Sequence, residues 1–165
     1  MIDELDRQII VELQKNGRET YKNLAKKAAV VEGTVRKRVK NLMKRDIVRT
    51  AAVPNVRKLG YSFVSIIGLQ IRIDNLTTVA ENLAQNYHVC YLAAVTGRYD
   101  FMAVVVARSP EEHSQFVKED LSTIPGILRA ETFVNLNIIK GEVGLLDTAQ
   151  LLENLDVSSL KKTYK

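Results

Sequence analysis

The chain has little of what secreted or membrane proteins depend on. Its single cysteine, Cys90, excludes an intrachain disulfide framework and is typical of proteins from a reducing cytoplasm. No apolar run reaches the roughly 20 residues of a membrane span. The opening residues, MIDELDRQII, are acidic and amphipathic rather than signal-like. We therefore expect a cytoplasmic protein that does not associate with membranes.

Groups suited to catalysis or metal binding are also scarce. The two histidines, His88 and His113, lie far apart without Cys or carboxylate at metal-ligand spacing, and we expect both at a surface or interface. Cys90 lies in an apolar stretch and is expected to be an inert buried thiol. We find no Ser-His-Asp set, paired carboxylates, phosphate loop or dinucleotide-binding glycine motif. The sequence predicts a protein that is not an enzyme, with no cofactor and no metal.

Positive charge is concentrated in the first third of the chain. The whole chain has a net charge of +5, yet residues 1–58 contain fifteen Lys and Arg against seven Asp and Glu, while the remainder contains nine against twelve. This asymmetry is typical of a nucleic-acid-binding domain joined to a domain with another function. The alternative, a solvated charged surface, fits less well because many of these cations share the outer face of one helix.

That helix is predicted for the segment 32–45, EGTVRKRVKNLMKR. At 100° per residue its apolar residues form a narrow stripe suited to packing on a core, and Lys, Arg and Asn occupy the opposite side. The stripe consists of Val35, Val39, Leu42 and Met43. A cationic outer face indicates a negatively charged partner, and we interpret this segment as a DNA recognition helix.

Two shorter helices are predicted before the basic one. Asp3 and Thr20 are suited to cap them, and Asn16-Gly17 ends the first. Three short helices, the last two joined by a tight turn, form a helix-turn-helix. The β-prone segment 47–53 predicts a strand or small wing after the recognition helix. Residues 1–54 are thus predicted to be a winged helix-turn-helix domain that binds double-stranded DNA.

Two kinds of DNA contact are expected from this domain. Cations at the edges of the helix bind phosphates, and residues on its outer face reach base edges in the major groove. We assign Gly33, Thr34, Lys37 and Asn41 to the groove and Lys22, Arg36, Arg38, Lys40 and Lys44 mostly to phosphates. Two alternatives stay open: Gly33 marks only a frayed first turn, and Arg38 pairs with a carboxylate of the helical domain.

After a polar hinge at 55–60, the hydrophobic period changes from 3.6 to 2. Strands are predicted at 63–73, 89–96, 101–107 and 127–139, with helices beginning at Asp74-Asn75 and at Ser109. The order β-α-β-β-α-β over residues 61–144 predicts a ferredoxin-like αβ-sandwich, so the fold class is α+β. Residues 145–165 are expected to be an exposed tail with at most a short helix around 148–155.

The predicted sheet has apolar residues on both faces, but its helices cover only one of them. A bare apolar face of that size is rare in monomeric proteins. The sequence therefore predicts that the free face pairs with a second copy of the chain and forms a homodimer.

Four short motifs in this order resemble the Lrp/AsnC, or leucine-responsive and feast/famine, family of transcription regulators. They are IDELDRQII at the start, TVRKRVKNL in the basic helix, LGY before the sheet domain and GRYD at 97–100. The resemblance implies dimers that assemble into tetramers, octamers or larger discs. It also implies a small effector, usually an amino acid, bound between dimers near the G-x-Y-D turn and the last strand. Carried over position by position, this marks Gly97, Arg98, Tyr99, Asp100 and Thr132.

The chain departs from the family pattern at three places. Arg45-Asp46 stand where the family usually has Gly after the recognition helix, and Ala29-Val30-Val31 where its turn often has Gly followed by Ser. Ala130 replaces a common Thr in the last strand. An alternative for the G-x-Y-D turn also remains, a tight β-turn in which Asp100 bonds backbone and Tyr99 packs at an interface.

The sequence thus supports one main hypothesis and one alternative of another class. The first is an oligomeric transcription regulator that binds specific DNA sequences and responds to an amino acid or related effector. The alternative is an architectural DNA-compacting protein without an effector. A metabolic enzyme with a regulatory sandwich domain is disfavoured, because no catalytic constellation is visible.

Overall fold

The computed structural model describes residues 2–141 and 143–155, and the chain divides into two compact units, Met1–Ala52 and Val53–Lys165. The first unit contains helices α1 (Glu4–Lys15), α2 (Tyr21–Lys27) and α3 (Glu32–Lys44). Asp3 and Thr20 cap α1 and α2 as predicted, since their side chains accept hydrogen bonds from backbone N–H groups three residues on. These three helices are the predicted helix-turn-helix.

The core of the first unit is the apolar stripe of α3 packed on α1 and α2. Its buried residues are Ile9, Leu24, Ala25, Val35, Val39 and Leu42. Met43, which we expected in the same stripe, is 41% exposed, because it lies at the flank of α3 rather than above the core.

In the first unit, α2 and α3 end without a glycine, and each is followed by a residue in the left-handed conformation. Ala29, after α2, has φ 55°, and Asp46, after α3, has φ 54°. In each case the next N–H reaches back to a carbonyl five residues earlier: Val30 N–H donates to the Ala25 carbonyl at 3.0 Å. The corresponding bond after α3 joins Ile47 N–H to Leu42 at 2.9 Å. These are Schellman ends, which glycine normally favours.

The predicted wing is wrong, because residues 47–53 form no strand. Ile47 and Val48 pack against the helical core instead. A strand needs a partner strand for its backbone hydrogen bonds, and the described part of this unit contains only helices and turns.

The second unit is a four-stranded antiparallel sheet with helices. Strands β1 (Phe63–Ile71), β2 (Val89–Ala94), β3 (Phe101–Ala107) and β4 (Ile127–Val134) stand in the order β2-β3-β1-β4. Helix α4 (Leu76–Ala84) follows β1, and α5 (Pro110–Gln115) follows β3 and continues as a π-helical turn and a 3-10 turn to Thr123. This topology confirms the predicted ferredoxin-like fold.

Strand β4 ends five residues before the predicted Ile139. The Asn135 N–H still donates to the Val64 carbonyl at 2.9 Å, but β1 begins only one residue before Val64, at Phe63, so little of β1 remains to pair beyond this point. Leu136 and Ile139 are consequently 97% and 93% exposed. For the same reason Ile73, expected inside β1, lies outside the strand and is 86% exposed.

The two faces of the sheet are covered differently. The main core lies under α4 and the helical stretch after β3, and it includes Ile67, Leu69, Val79, Leu83, Phe101, Val105, Phe116 and Leu121. On the other face, Val64 and Val106 pack with Cys90, Val56, Tyr61 and Leu151. The chain itself therefore covers part of the face that we predicted to be bare.

The C-terminal segment was predicted to be an exposed tail, and its described part is not. A short helix, α6 (Ala149–Glu153), packs on the sheet unit with Leu151 fully buried. The remaining residues, 156–165, lie outside the described part of the chain. The segment contains several leucines, but their local pattern does not show which surface of the sheet unit they contact.

The two histidines are buried rather than at a surface. The His113 Nε2 lies 2.8 Å from the Ser65 hydroxyl, and the His88 Nδ1 lies 3.0 Å from the Val106 carbonyl. Phe116 lies close to both rings. Both imidazoles are therefore hydrogen-bonded residues of the core. Burial lowers the pKa of His113. Cys90 is buried as predicted, and burial raises the pKa of its thiol to about 11.

Within residues 2–141 and 143–155, the helices are all too short or too polar to cross a membrane.

Candidate functional site: a cationic helix and a sheet-edge cluster

The outer face of α3 carries lysines that have no partner among the residues the structure describes. Lys37, Lys40 and Lys44 are exposed, and within the described residues none of them makes a hydrogen bond or ion pair. At 100° per residue they share the face opposite the buried stripe with Gly33 and Asn41. Lys22 on α2 is likewise exposed and unpaired among the described residues. These side chains are available to an external anion.

Gly33 lies in the first turn of α3, and its own surroundings do not require a glycine. A Cβ built there would meet nothing within 4 Å. Glycine inside a helix is unfavourable by about 1 kcal/mol relative to alanine. The side chain of Val31 provides no cap, so the first turn of α3 presents backbone N–H groups beside the glycine.

Arg36 is held within the helical unit on the side of α3 that faces α2. Its Nη2 lies 2.7 Å from the Glu32 Oε1, and its guanidinium lies over the Tyr21 ring at 5.3 Å. The contact joins the first turns of α3 to the start of α2. Arg36 is still largely exposed, so it retains a route to a phosphate at the edge of the helix.

Arg38 points the other way, toward the start of α1. Its Nη1 lies 2.6 Å from the Asp3 Oδ2 and 3.3 Å from the Asp6 Oδ2. The Asp3 carboxylate also accepts the Asp6 N–H, and this bond first and Arg38 second lower the pKa of Asp3. The alternative that we held open for Arg38, pairing with a carboxylate of its own domain, is confirmed.

A second group of polar residues lies at the edge of the sheet, around Tyr99. The Tyr99 ring lies against the backbone of Gly68, where any Cβ would come within 2.8 Å of the ring. Its hydroxyl donates to the Glu131 Oε2 at 2.7 Å, and its edge meets Phe133 with the ring centroids 6.3 Å apart. Gly68 therefore provides the space in which this tyrosine lies.

Two arginines approach the same oxygen of Glu131. The Arg98 Nη2 lies 3.2 Å and the Arg129 Nη2 3.7 Å from the Glu131 Oε2, and the Arg98 guanidinium also lies over the Tyr99 ring. The Tyr99 hydroxyl, followed by the two arginines, lowers the pKa of Glu131. The same hydrogen bond raises the pKa of Tyr99. One carboxylate thus collects three donors that face solvent at the rim of the sheet.

The carboxylate and the N–H of Asp100 both form hydrogen bonds with the backbone of β1. Its Oδ2 accepts the Ile71 N–H at 2.7 Å, and its own N–H donates to the Leu69 carbonyl at 2.8 Å. Gly97 has φ 119°, which suits glycine, and the Arg98 carbonyl accepts the Gln70 amide at 2.9 Å. The turn agrees with our alternative in that the Asp100 carboxylate bonds backbone, but that backbone is β1, to which Asp100 fixes the turn.

Thr132 is not brought together with this turn. It pairs directly with Ile67 of β1, which belongs to the core under the helices. Successive residues of a strand point to opposite faces, so Glu131 and Phe133 face Tyr99 while Thr132 faces away. We did not predict from the sequence that Gly68, Arg129 and Glu131 belong to this cluster. A glutamate between apolar positions of the last strand was the available signal, but the register of β1 against β4 was needed to place it.

Fold and sites together define a class: a DNA-binding helix-turn-helix unit joined to a ferredoxin-like unit. The sequence model of the AsnC-type helix-turn-helix domain matches residues 2–43, and that of the Lrp/AsnC ligand binding domain matches residues 63–145. The chain belongs to the Lrp/AsnC family of helix-turn-helix transcription regulators. It is a DNA-binding transcription regulator with a ligand-binding domain, and not an enzyme.

Individual relatives agree with this assignment. An uncharacterised HTH-type transcriptional regulator of Pyrococcus furiosus is 37% identical over 141 residues, which cover 85% of this chain and 95% of the relative. The structure of Escherichia coli AsnC matches with a TM-score of 0.82 at 26% identity, covering 86% of this chain and 97% of AsnC. A Neisseria meningitidis transcriptional regulator in complex with L-methionine matches with a TM-score of 0.81 at 26% identity, covering 86% and 94%.

Proposed function

We propose that the chain is an oligomeric regulator that binds specific DNA sequences through α3 and responds to an amino acid at its sheet-edge cluster. The observation that carries the DNA part is the row of unpaired lysines on the outer face of α3. Because these lysines form no ion pairs among the described residues, no such pair has to be broken when they bind phosphate. Each phosphate they neutralise releases counterions, which supplies affinity.

The DNA contacts divide according to position on α3. Gly33, Thr34, Lys37 and Asn41 belong to the groove-facing set, in which asparagine suits adenine and lysine suits guanine. Phosphate contacts fall to Lys22, Lys40 and Lys44, with Arg36 at the edge. Arg38 is withdrawn from the phosphate set that we predicted, because Asp3 and Asp6 already neutralise it. Its role is to hold α1 against α3.

We propose a homodimer that associates further into tetramers, octamers or larger assemblies. Support comes from apolar side chains exposed at the sheet and just beyond β4. They are Tyr91, Phe133, Val134, Leu136 and Ile139. A second copy covering them would remove this surface from water, which favours association by roughly 25 cal/mol per Å² of apolar area. A dimer would also hold two copies of α3 at a fixed spacing on DNA.

The sheet-edge cluster supports a specific form of effector binding. Arg98 and Arg129 are the groups that would meet an amino-acid carboxylate, through charge-assisted hydrogen bonds. Glu131 now occupies that position, so an effector carboxylate would displace it and take over the Tyr99 hydroxyl as well. We do not assign the effector ammonium to Asp100, because its Oδ2 accepts the Ile71 N–H and braces the turn. The complex of the Neisseria relative with L-methionine supports an amino acid as the effector class.

Selection of bound genomic fragments, with and without each of the twenty amino acids, tests this function. The proposal predicts a recurrent pseudo-palindromic sequence whose recovery changes with one or a few amino acids. Recovery of fragments without a shared sequence would contradict specific binding. A shared sequence that no amino acid affects would contradict the effector part alone.

A comparison of wild type with Glu131→Gln tests the competition at the cluster. Removing the charge weakens the hold on both arginines, so an effector carboxylate should bind more tightly, by about tenfold if one charge-assisted contact of 1–2 kcal/mol is released. Glu81→Gln, an exposed glutamate of α4, is the matched control. Equal or weaker effector binding by Glu131→Gln would contradict displacement of Glu131.

One observation favours the alternative, an architectural DNA-compacting protein. The donors of the sheet-edge cluster are already satisfied by the chain's own Glu131, so the cluster is stable without a ligand. Thermal-shift measurements with all twenty amino acids discriminate between the two functions. Stabilisation by one of them supports the regulator, and the absence of any shift supports the architectural protein.

A further inference from the structure

The sheet unit includes a C-terminal segment that extends past the family domain. The Lrp/AsnC ligand binding domain match ends at residue 145, whereas the described chain continues to Leu155. A 3-10 turn (Val143–Leu145) forms the last residues of the match and leads into helix α6, which lies past it. Residues 146–155 therefore pack onto a domain that is already complete in its family form.

The extension is anchored by one fully buried side chain, by the half-buried Val143, Leu146 and Leu155, and by two hydrogen bonds. Leu151 is fully buried in the cluster formed with Val56, Tyr61, Val64, Cys90 and Val106. The Asp147 N–H donates to the Cys90 carbonyl at 3.1 Å, and the Tyr61 hydroxyl donates to the Leu151 carbonyl at 3.2 Å. Two of the cluster residues, Val56 and Tyr61, belong to the linker that precedes β1.

The linker, residues 54–61, is thereby fixed to the sheet unit. Tyr61 is fully buried, with the Arg108 guanidinium over its ring at 5.2 Å. Gly144 approaches the Pro54 carbonyl so closely that any side chain at position 144 would overlap it. The extension therefore contacts both ends of the linker, at Pro54 and at Tyr61.

This attachment is limited in area. Helix α6 has five residues and no side-chain cap, and Ala149, Gln150 and Glu153 are exposed. A cleft of about 220 Å³ stays open between the start of the linker and the chain around Gly141 to Gly144. A contact made by one fully buried leucine and a few half-buried side chains is of the kind that opens locally without unfolding the domain.

We propose that residues 143–155 form a detachable strap that fixes the linker to the sheet, and that its release lengthens the tether of the DNA-binding unit. With the strap in place, residues 54–61 move with the sheet. With the strap detached, these residues become a flexible connection, and the helix-turn-helix units of an oligomer can reach DNA sites at more than one spacing. The consequence for DNA rests on the proposed function, but the strap itself does not.

Cys90 is the only cysteine and reports strap release directly. In the full-length chain, Leu151→Ala should raise the rate of Cys90 modification by an aromatic disulfide reagent by about tenfold or more, because it removes the fully buried side chain that α6 places in this cluster. Trypsin cleavage in the linker, at Arg57 and Lys58, should accelerate in parallel. Leu152→Ala, the neighbouring half-buried leucine of α6, is the matched control and should change both rates far less.

Truncation provides a second variant in case the substitution perturbs folding. A chain ending at residue 145 should show the fast rates while its circular dichroism and melting transition remain those of a folded protein. A chain ending at residue 155 should keep the slow rates. Unchanged thiol and cleavage rates in both Leu151→Ala and the 145-residue chain would overturn the strap.

Binding to paired DNA sites at a series of spacings tests the consequence. Wild type should favour one spacing, and the strap variants should bind all spacings with affinities within a narrower range. An unchanged spacing preference together with a released thiol would overturn the role of the strap in DNA binding. If wild type binds no paired site, the proposed function fails, while the thiol and cleavage rates still decide the strap.

Discussion

At the scale of single residues, the cations of α3 differ by the partners they already have. Arg38 is neutralised by Asp3 and Asp6, and Arg36 is shared with Glu32 and Tyr21. Lys37, Lys40 and Lys44 have no partner in the described chain. Composition and helical period placed all of these residues on one basic helix, but they could not distinguish a free cation from a paired one. Arg38 is paired because the start of α1, with Asp3 and Asp6, lies beside α3.

Gly33 provides a prediction at this scale. Because a Cβ at this position meets nothing, Gly33→Ala should raise the free energy of unfolding by about 0.5–1 kcal/mol through higher helix propensity. If DNA approaches this backbone, the same methyl group should weaken DNA binding. Urea unfolding and a binding titration on one preparation measure both effects. Higher stability with unchanged affinity would show that Gly33 marks only a first turn.

Ala29 provides a second prediction. It holds φ 55°, a conformation that glycine adopts freely, so Ala29→Gly should stabilise the protein by about 0.5–1 kcal/mol. Ala28→Gly is the matched control, because Ala28 has φ −89° and gains nothing from glycine. That control should lose stability through the greater freedom of its unfolded chain. Destabilisation by Ala29→Gly, measured by urea unfolding, would contradict the Schellman end of α2.

At the scale of elements, local signals predicted where helices begin better than where strands end. Asp3, Thr20 and Ser109 each cap a helix as expected, because a cap depends only on residues within one turn. The extent of β4 and the absence of a wing depend on whether a partner strand lies alongside, which no local pattern records. The burial of α6 depends on a distant cluster around Tyr61, so the apolar residues of α6 alone did not predict it.

The contact between α1 and α2 gives a pH dependence at this scale. Hydrogen bonds from Lys15 first and Lys27 second lower the pKa of Glu12 from its ordinary 4.5 to about 2. The unfolded chain takes up this proton near pH 4.5 and the folded chain near pH 2. The stabilisation from Glu12 is therefore complete above about pH 4.5 and is lost as the pH falls toward 2.

Glu12→Gln should accordingly be less stable than wild type near neutral pH, and the difference should shrink as the pH falls from about 4.5 toward about 2. Urea unfolding of both proteins across this range measures the difference. Gln8→Ala, an exposed position of α1 without an ionisable group, controls for loss of helix contacts. A difference between wild type and Glu12→Gln that stays constant with pH would show that the ion pairs of Glu12 contribute nothing.

At the scale of the whole molecule, the exposed residues after β4 bear on assembly. Leu136 and Ile139 make almost no contact within the chain, so Leu136→Asp with Ile139→Asp should leave the fold intact. If these residues lie in the proposed interface, the double variant should form smaller assemblies. Ile73→Asp, equally exposed but at the end of β1, is the control and should assemble like wild type. Sedimentation velocity measures the size of the assemblies. An unchanged size for the double variant would place the interface elsewhere.

The central claim, that α3 holds DNA through its unpaired lysines, is tested most directly by the salt dependence of DNA binding. Lys37→Ala with Lys40→Ala should weaken operator binding and reduce the slope of log affinity against log salt by about 1–2, because each lost phosphate contact removes about 0.9. Lys118→Ala with Lys140→Ala changes the net charge equally within the sheet unit and should leave the slope unchanged. An unchanged slope in the α3 variant, or an equal loss in both variants, would contradict α3 as the DNA-binding helix.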